Sequence, residues 1–134
     1  MKTIGILSLL LATTLVAHAQ LAVTVSPPKI TGSKAVVPLA MKNNFTEKIE
    51  SARAVVFLSD KQGKVIGQTT RWVIGGSSTN GLAPGETNVF HFVINGPQPF
   101  TSTNLTAKLQ FSRVILEGGK LADAKKDIQL QNSK

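Results

Sequence analysis

The sequence predicts an all-β protein: a single antiparallel β-sandwich of about seven or eight strands, preceded by a leader for export. Three observations predict it. Alternating apolar runs of strand length recur between Pro, Gly, Asn and Asp turn signals. No apolar pattern of helical period is long enough to compete, and no internal repeat or later domain boundary interrupts the series. Residues 1–19 carry the charged, apolar and small-residue order of a secretory signal peptide.

The leader begins "MKTIGILSLLLATTLVAHAQ", with Lys2, an apolar run from Ile4 to Val16, and the triplet Ala17-His18-Ala19. That run is shorter than the roughly 20 residues a bilayer core requires. The expectation is therefore cleavage after Ala19, a domain spanning residues 20–134, and no membrane insertion after cleavage. The chain has 134 residues and no cysteine. Neither a disulfide nor a lipid-bearing cysteine is available to it. The remaining chain has the size of one domain and can bury a core without covalent staples. An exported protein that dispenses with cysteine suits a bacterial periplasm or the exterior.

The strands follow in order. "LAVTVS", Leu21 to Ser26, alternates and is stopped by Pro27-Pro28. Lys34 to Asn43 sets Ala35, Val37, Leu39 and Met41 on one face. Pro38 falls on the other, and because it has no N–H to donate, an edge strand or a bulge is expected there. Ile49 to Asp60 is apolar on both faces near its end, with Val55 and Phe57 opposed to Ala54, Val56 and Leu58. That predicts a central strand covered on both sides. Asp60 and Gly63 then supply a reversal. The return strand, Val65 to Ile74, places Trp72 beside Thr70 and Ile74, where it is expected to anchor the core. "GGSSTNG", Gly75 to Gly81, reads as a flexible loop. Pro84-Gly85 fits the centre of a type II turn. Beyond it Phe90, Phe92 and Ile94 alternate with Val89, His91 and Val93, which turns His91 away from the core. Ala107 to Glu117 directs Leu109 and Phe111 inward, and Gly118-Gly119 turns the chain into a last strand near Ile128 and Leu130.

Chemistry is harder to find. The 15 Lys and Arg against 7 Asp and Glu give a formal charge of +8. The cations are scattered, only Lys125-Lys126 are adjacent, and tyrosine is absent, so a nucleic-acid surface is not expected. Neither Gly63-Lys64 nor Gly119-Lys120 is followed by Ser or Thr as a phosphate loop requires. "GGSSTNG" has Thr79 where a nucleophile elbow needs its second glycine. His91 is the only histidine outside the leader and sits within a strand, with no adjacent acid to orient it. One histidine and no cysteine do not make a zinc or copper site, and Asp60 reads as a turn cap rather than a calcium ligand. Glu47 and Glu50 could form a carboxylate pair, but a solvated loop explains them better. No catalytic, cofactor-binding or metal-ligating residue is therefore assigned, and no enzyme is expected. The sequons Asn44-Phe45-Thr46 and Asn104-Leu105-Thr106 would be used only in a eukaryotic secretory route.

The order "VPLAMKNNFTEKIESARAVVFLSDKQGKVIGQ" followed by "GLAPGETNVFHFVI" resembles the FxLYD-type and related immunoglobulin-like domains of bacterial exported proteins. The matching positions are Asn43 or Asn44, Asp60, Gly63, Lys64, Val65, Leu82, Pro84, Gly85 and Phe90. In place of the aromatic-Leu-Tyr-Asp signature stands "VFLSD", Val56 to Asp60. The resemblance spans about Val37 to Ile94 and rests on turn and core residues. It implies an immunoglobulin-like (fibronectin III-like) sandwich and says little of activity. Two functional classes follow. The first is a non-enzymatic exported module that contacts an envelope or extracellular protein or polysaccharide through loops or an edge strand. The second is a small secreted proteinase inhibitor or a chaperone-like factor of the periplasm.

Overall fold

The computed structural model describes residues 20–76 and 80–133. The expected signal peptide lies outside the described residues, as does Ser77 to Thr79 of the predicted flexible loop. The described residues form nine strands: β1 (Leu21–Val25), β2 (Lys29–Thr31), β3 (Lys34–Asn43), β4 (Ile49–Ser59), β5 (Val65–Ile74), β6 (Thr87–Asn95), β7 (Thr106–Leu116), β8 (Lys120–Leu121) and β9 (Ile128–Asn132). They make two sheets. β1, β2, β3, β6 and β9 form one, and β5-β4-β7-β8 forms the other. The buried faces of both supply a single apolar core that includes Leu21, Val37, Leu39, Val56, Leu58 and Phe92. Phe92 meets Phe90 edge to face, with ring centroids 6.0 Å apart.

The short strands β2 and β8 are additions to the expected series. β6 pairs with β3 along Lys34–Lys42, so β1 and β2 share the other side of β3 end to end. Pro27-Pro28 break what would otherwise be one strand. That break explains Pro38. It lies in neither an edge strand nor a bulge, since β3 is paired on both sides and its register with β6 runs unshifted. The Pro38 carbonyl accepts from Ser26 N–H at 3.0 Å, so the ring nitrogen points to the same side, into the gap between β1 and β2. Only the reciprocal bond to Ser26 is missing, at the point where β1 ends.

β4 is central, between β5 and β7, as expected. It is covered on one face only: Ala52, Ala54, Val56 and Leu58 are fully buried, whereas Val55 and Phe57 are half-buried on the outer face. The reversal after β4 uses Asp60 as expected. Its Oδ1 accepts from the N–H groups of Gln62 and Lys64, both at 2.9 Å, and Gly63 has φ +83°. The Pro84-Gly85 turn also forms, with Glu86 N–H donating to Ala83 C=O at 3.0 Å and Gly85 at φ +80°.

The chain's end departs from a wholly antiparallel arrangement. Gly118-Gly119 do turn it back, but into β8, which pairs with Ile115 and Leu116 of β7. Residues 122–127 then carry it to the other sheet, where β9 runs parallel to β1, from Leu21↔Ile128 to Val25↔Asn132. The Asp127 carbonyl receives the N–H groups of Gln20 and Leu21, which locks that start.

Candidate binding face

His91 is exposed on the outer face of β6, opposite Pro38 across the ladder. Glu47 and Glu50 do not converge on a cleft. Glu47 accepts from the Lys120 ammonium at 2.6 Å and Glu50 from the Gly118 N–H at 3.3 Å, so both tie the β4 end to the β7–β8 turn. Asn44 and Asn104 are exposed in connecting segments. Among the described residues, no three acidic or histidine side chains come together in a way that could hold a metal ion.

The structure instead brings together a set of side chains on the outer face of β5-β4-β7. Trp72 belongs to it, contrary to its expected place in the core. β4 and β5 pair Ala52↔Ile74 and then Arg53↔Trp72, so Val73 is an extra residue. This bulge reverses the alternation. Val73 and Ile74 both turn inward and are fully buried, while Trp72 is left 38% exposed. It is not loose there. The Arg53 guanidinium lies 5.6 Å from its ring centroid, and Arg53 Nε donates to Ser112 Oγ at 3.5 Å. Ser112 Oγ in turn donates to the Arg53 carbonyl at 3.2 Å.

Around this pair the registers place Val55 beside Thr70 and Gln110, and Phe57 beside Gln68 and Lys108. Arg113 is the cross-strand neighbour of Arg53. The face therefore carries an indole, two partly covered apolar side chains, amides and cations. An ordered indole gives a flat apolar surface with one N–H donor, and the neighbouring guanidinium groups recognise anionic or hydroxyl-rich groups. Nothing here supplies a nucleophile with a base.

Asn43 is a second feature that the alternation held but did not make plain. It continues the inward phase of Ala35, Val37, Leu39 and Met41, and it is fully buried. Its Nδ2 donates to Leu82 C=O at 2.8 Å and Glu47 C=O at 3.0 Å, and its Oδ1 accepts from Phe45 N–H at 2.8 Å. Its backbone carbonyl accepts from Gly85 N–H at 2.7 Å. The residue thus organises the β3–β4 connection through its side chain and ties it to the Pro84-Gly85 turn through its backbone.

No protein-family model matches the sequence, and no curated protein matches it. Solved structures do. A Bordetella pertussis protein provisionally named ApaA is similar at 16% identity and a TM-score of 0.51, over 80% of this chain and 88% of that one. Northeast Structural Genomics Consortium target SoR45 aligns at 14% identity and a TM-score of 0.49, over 78% and 80% of the two chains. At such identity the likeness to the Bordetella protein is one of fold alone.

Proposed function

We propose that this protein is an exported, non-enzymatic immunoglobulin-like β-sandwich module that contacts an envelope or extracellular protein or polysaccharide. The observation that carries the binding role is Trp72, left outward beside a bulge and held by Arg53 on a face that also carries Val55, Phe57, amides and cations. Scattered exposed apolar residues are ordinary, but an indole fixed by a guanidinium is arranged for contact. The immunoglobulin-like reading is supported by strand partition: β1, β3 and β6 share one sheet and β4 and β7 the other, as the first, second, fifth, third and sixth strands of such domains do. Pairing of β9 with β1 in place of β7 is this chain's own variation. Export is supported by residues 1–19, and intact-mass analysis of secreted or periplasmic material should begin at Gln20.

Trp72 is the only tryptophan, so its emission reports directly on the face. Titration with neutral and acidic polysaccharides, together with crosslinking in an envelope fraction, tests the reading. A saturable emission change that is lost in Arg53→Ala, or a crosslinked partner that is lost in both Trp72→Ala and Arg53→Ala, is expected. Binding that persists unchanged in both variants, or no response to any of these, overturns it.

A further inference from the structure

The outer edge of β7 is only partly used. β8 pairs with Ile115 and Leu116, and Ala122 N–H reaches Val114 C=O. From Thr106 to Phe111 one edge of β7 is held by β4, and among the described residues no strand lies against the other. Alternate residues of that stretch turn a backbone N–H and C=O towards open space, which makes it a template for a further strand. β9 is the strand that could have filled it, but β9 is committed to β1 in the other sheet. Between the two strands runs an apolar slot. Ala107, Leu109 and Phe111 form its floor and Leu130, 45% exposed, its wall. Lys108 and Lys125 line it, neither is ion-paired among the described residues, and no carboxylate lines it.

We propose that the slot along Thr106–Phe111 receives an extended, acid-flanked segment of another protein as an added strand. Polypeptide backbone presents donors and acceptors at the spacing of a ladder, so it is the occupant that a free edge selects. Alternate side chains of such a segment would enter the slot between Leu109 and Leu130. Acidic flanks would meet Lys108 and Lys125. A second copy of this chain is a poorer occupant, because both copies carry a formal charge of +8 and would bring their own lysines to the edge. Lys108 borders both the edge and the Trp72 face, but the edge is tested through Leu130 and the peptide amides and the face through Trp72 and Arg53, so the two readings fail separately.

The probe is a capped synthetic peptide, Glu-Val-Thr-Val-Thr-Val-Glu, added to the nitrogen-15-labelled protein. We expect saturable shifts and slowed amide exchange confined to Thr106–Phe111 and Ile128–Asn132. Leu130→Lys, at an exposed position, should weaken binding about tenfold or more, as should exchange of the glutamates for lysines. N-methylation of one set of alternate peptide amides should abolish binding and of the other set leave it, because only one side of an added strand faces β7. Trp72→Ala should leave binding unchanged. No shift at about millimolar peptide overturns the proposal. So do shifts centred on β5 or β6, equal binding of the lysine-flanked peptide, indifference to which amides are methylated, or loss of binding in Trp72→Ala.

Discussion

Replacing Asn43 by Ala should be among the most damaging single changes outside the apolar core. The side chain makes three hydrogen bonds, to Leu82 C=O, to Glu47 C=O and from Phe45 N–H. The three losses are unequal. The Leu82 carbonyl keeps a second donor, Ile49 N–H at 2.9 Å, so it is not stranded. The Glu47 carbonyl and the Phe45 N–H lose the side-chain partner that fixes their connection. Each bond contributes about 1 kcal/mol net, and a buried group left unmade costs about 1–3 kcal/mol, which together give a loss of about 2–4 kcal/mol. That is a large share of the roughly 5–15 kcal/mol that holds a domain. Urea unfolding at neutral pH, followed by circular dichroism, should show a lower midpoint with an unchanged slope. Asn43→Asp sharpens the test. A carboxylate there still accepts from Phe45 but faces two carbonyl oxygens, so its pKa in the folded state rises above the ordinary value of about 3.9. The sign follows from proton binding: the folded state holds the proton more tightly, so the ionisation penalty is absent below that value and grows as pH rises towards the raised one. Asn43→Asp should therefore be weak at neutral pH and recover in acid relative to Asn43→Ala. A loss below about 0.5 kcal/mol for Asn43→Ala, the size of an ordinary surface change, would refute the reasoning.

Three further outcomes follow from the same structure. Gly85→Val should cost at least about 1 kcal/mol in denaturant melts, through positive φ alone, because among the described residues, its chain neighbours aside, no atom lies within 4 Å of the position its Cβ would take. His91→Gln should fold normally and lose no more than about 0.5 kcal/mol, and a hydrolytic activity abolished by it would overturn the non-enzymatic reading. The backbone N–H groups of Lys126 and Lys125 hold the Asp123 carboxyl below its ordinary value, assisted by the charges of those lysines. Its contribution is therefore complete above the ordinary aspartate pKa and is lost as pH falls through the lowered one. Amide exchange at Leu21, which is bonded to Asp127 C=O in the same loop, should quicken in Asp123→Ala at neutral pH, and the difference from wild type should fade in acid.

What the sequence displays and what it hides divide along physical lines. The Asp60 and Pro84-Gly85 turns are legible because their chemistry is local: a carboxylate reaching two residues on, a fixed φ followed by a positive one. His91 is legible because alternation alone decides its side. Trp72 is not, because the bulge at Val73 arises from how β5 pairs with β4, and one extra residue reverses every side chain beyond it. Pro38 misleads for a related reason. Its missing donor is tolerated because β1 ends at Pro27-Pro28 on the neighbouring side, a coincidence of partners ten or more residues away in sequence. The parallel placement of β9 depends on a choice between two sheet edges that no local pattern encodes. Asn43 was legible in principle, as a polar residue in the phase of four buried apolar ones.

The two outer faces show why the character of a surface is harder to read than the core. On β3 and β6 the outward positions pair Val36 with Val93, Pro38 with His91 and Ala40 with Val89. On β4 and β5 they pair Arg53 with Trp72, Val55 with Thr70 and Phe57 with Gln68. Both sets obey the same alternation and both flank the same core, so periodicity treats them alike. They differ in what they offer a partner. The first presents small aliphatic groups with one imidazole, and the second an indole, two guanidinium groups and a row of amides and hydroxyls. Desolvating the first gains apolar area without direction, whereas the second can hold a partner in one orientation through stacking and charge-assisted hydrogen bonds. The register of β5 on β4 therefore decides more than packing. Had β5 kept regular alternation back from the buried Ile74, Trp72 would fall in the inward phase, and the face would keep its cations and Phe57 but lose its indole.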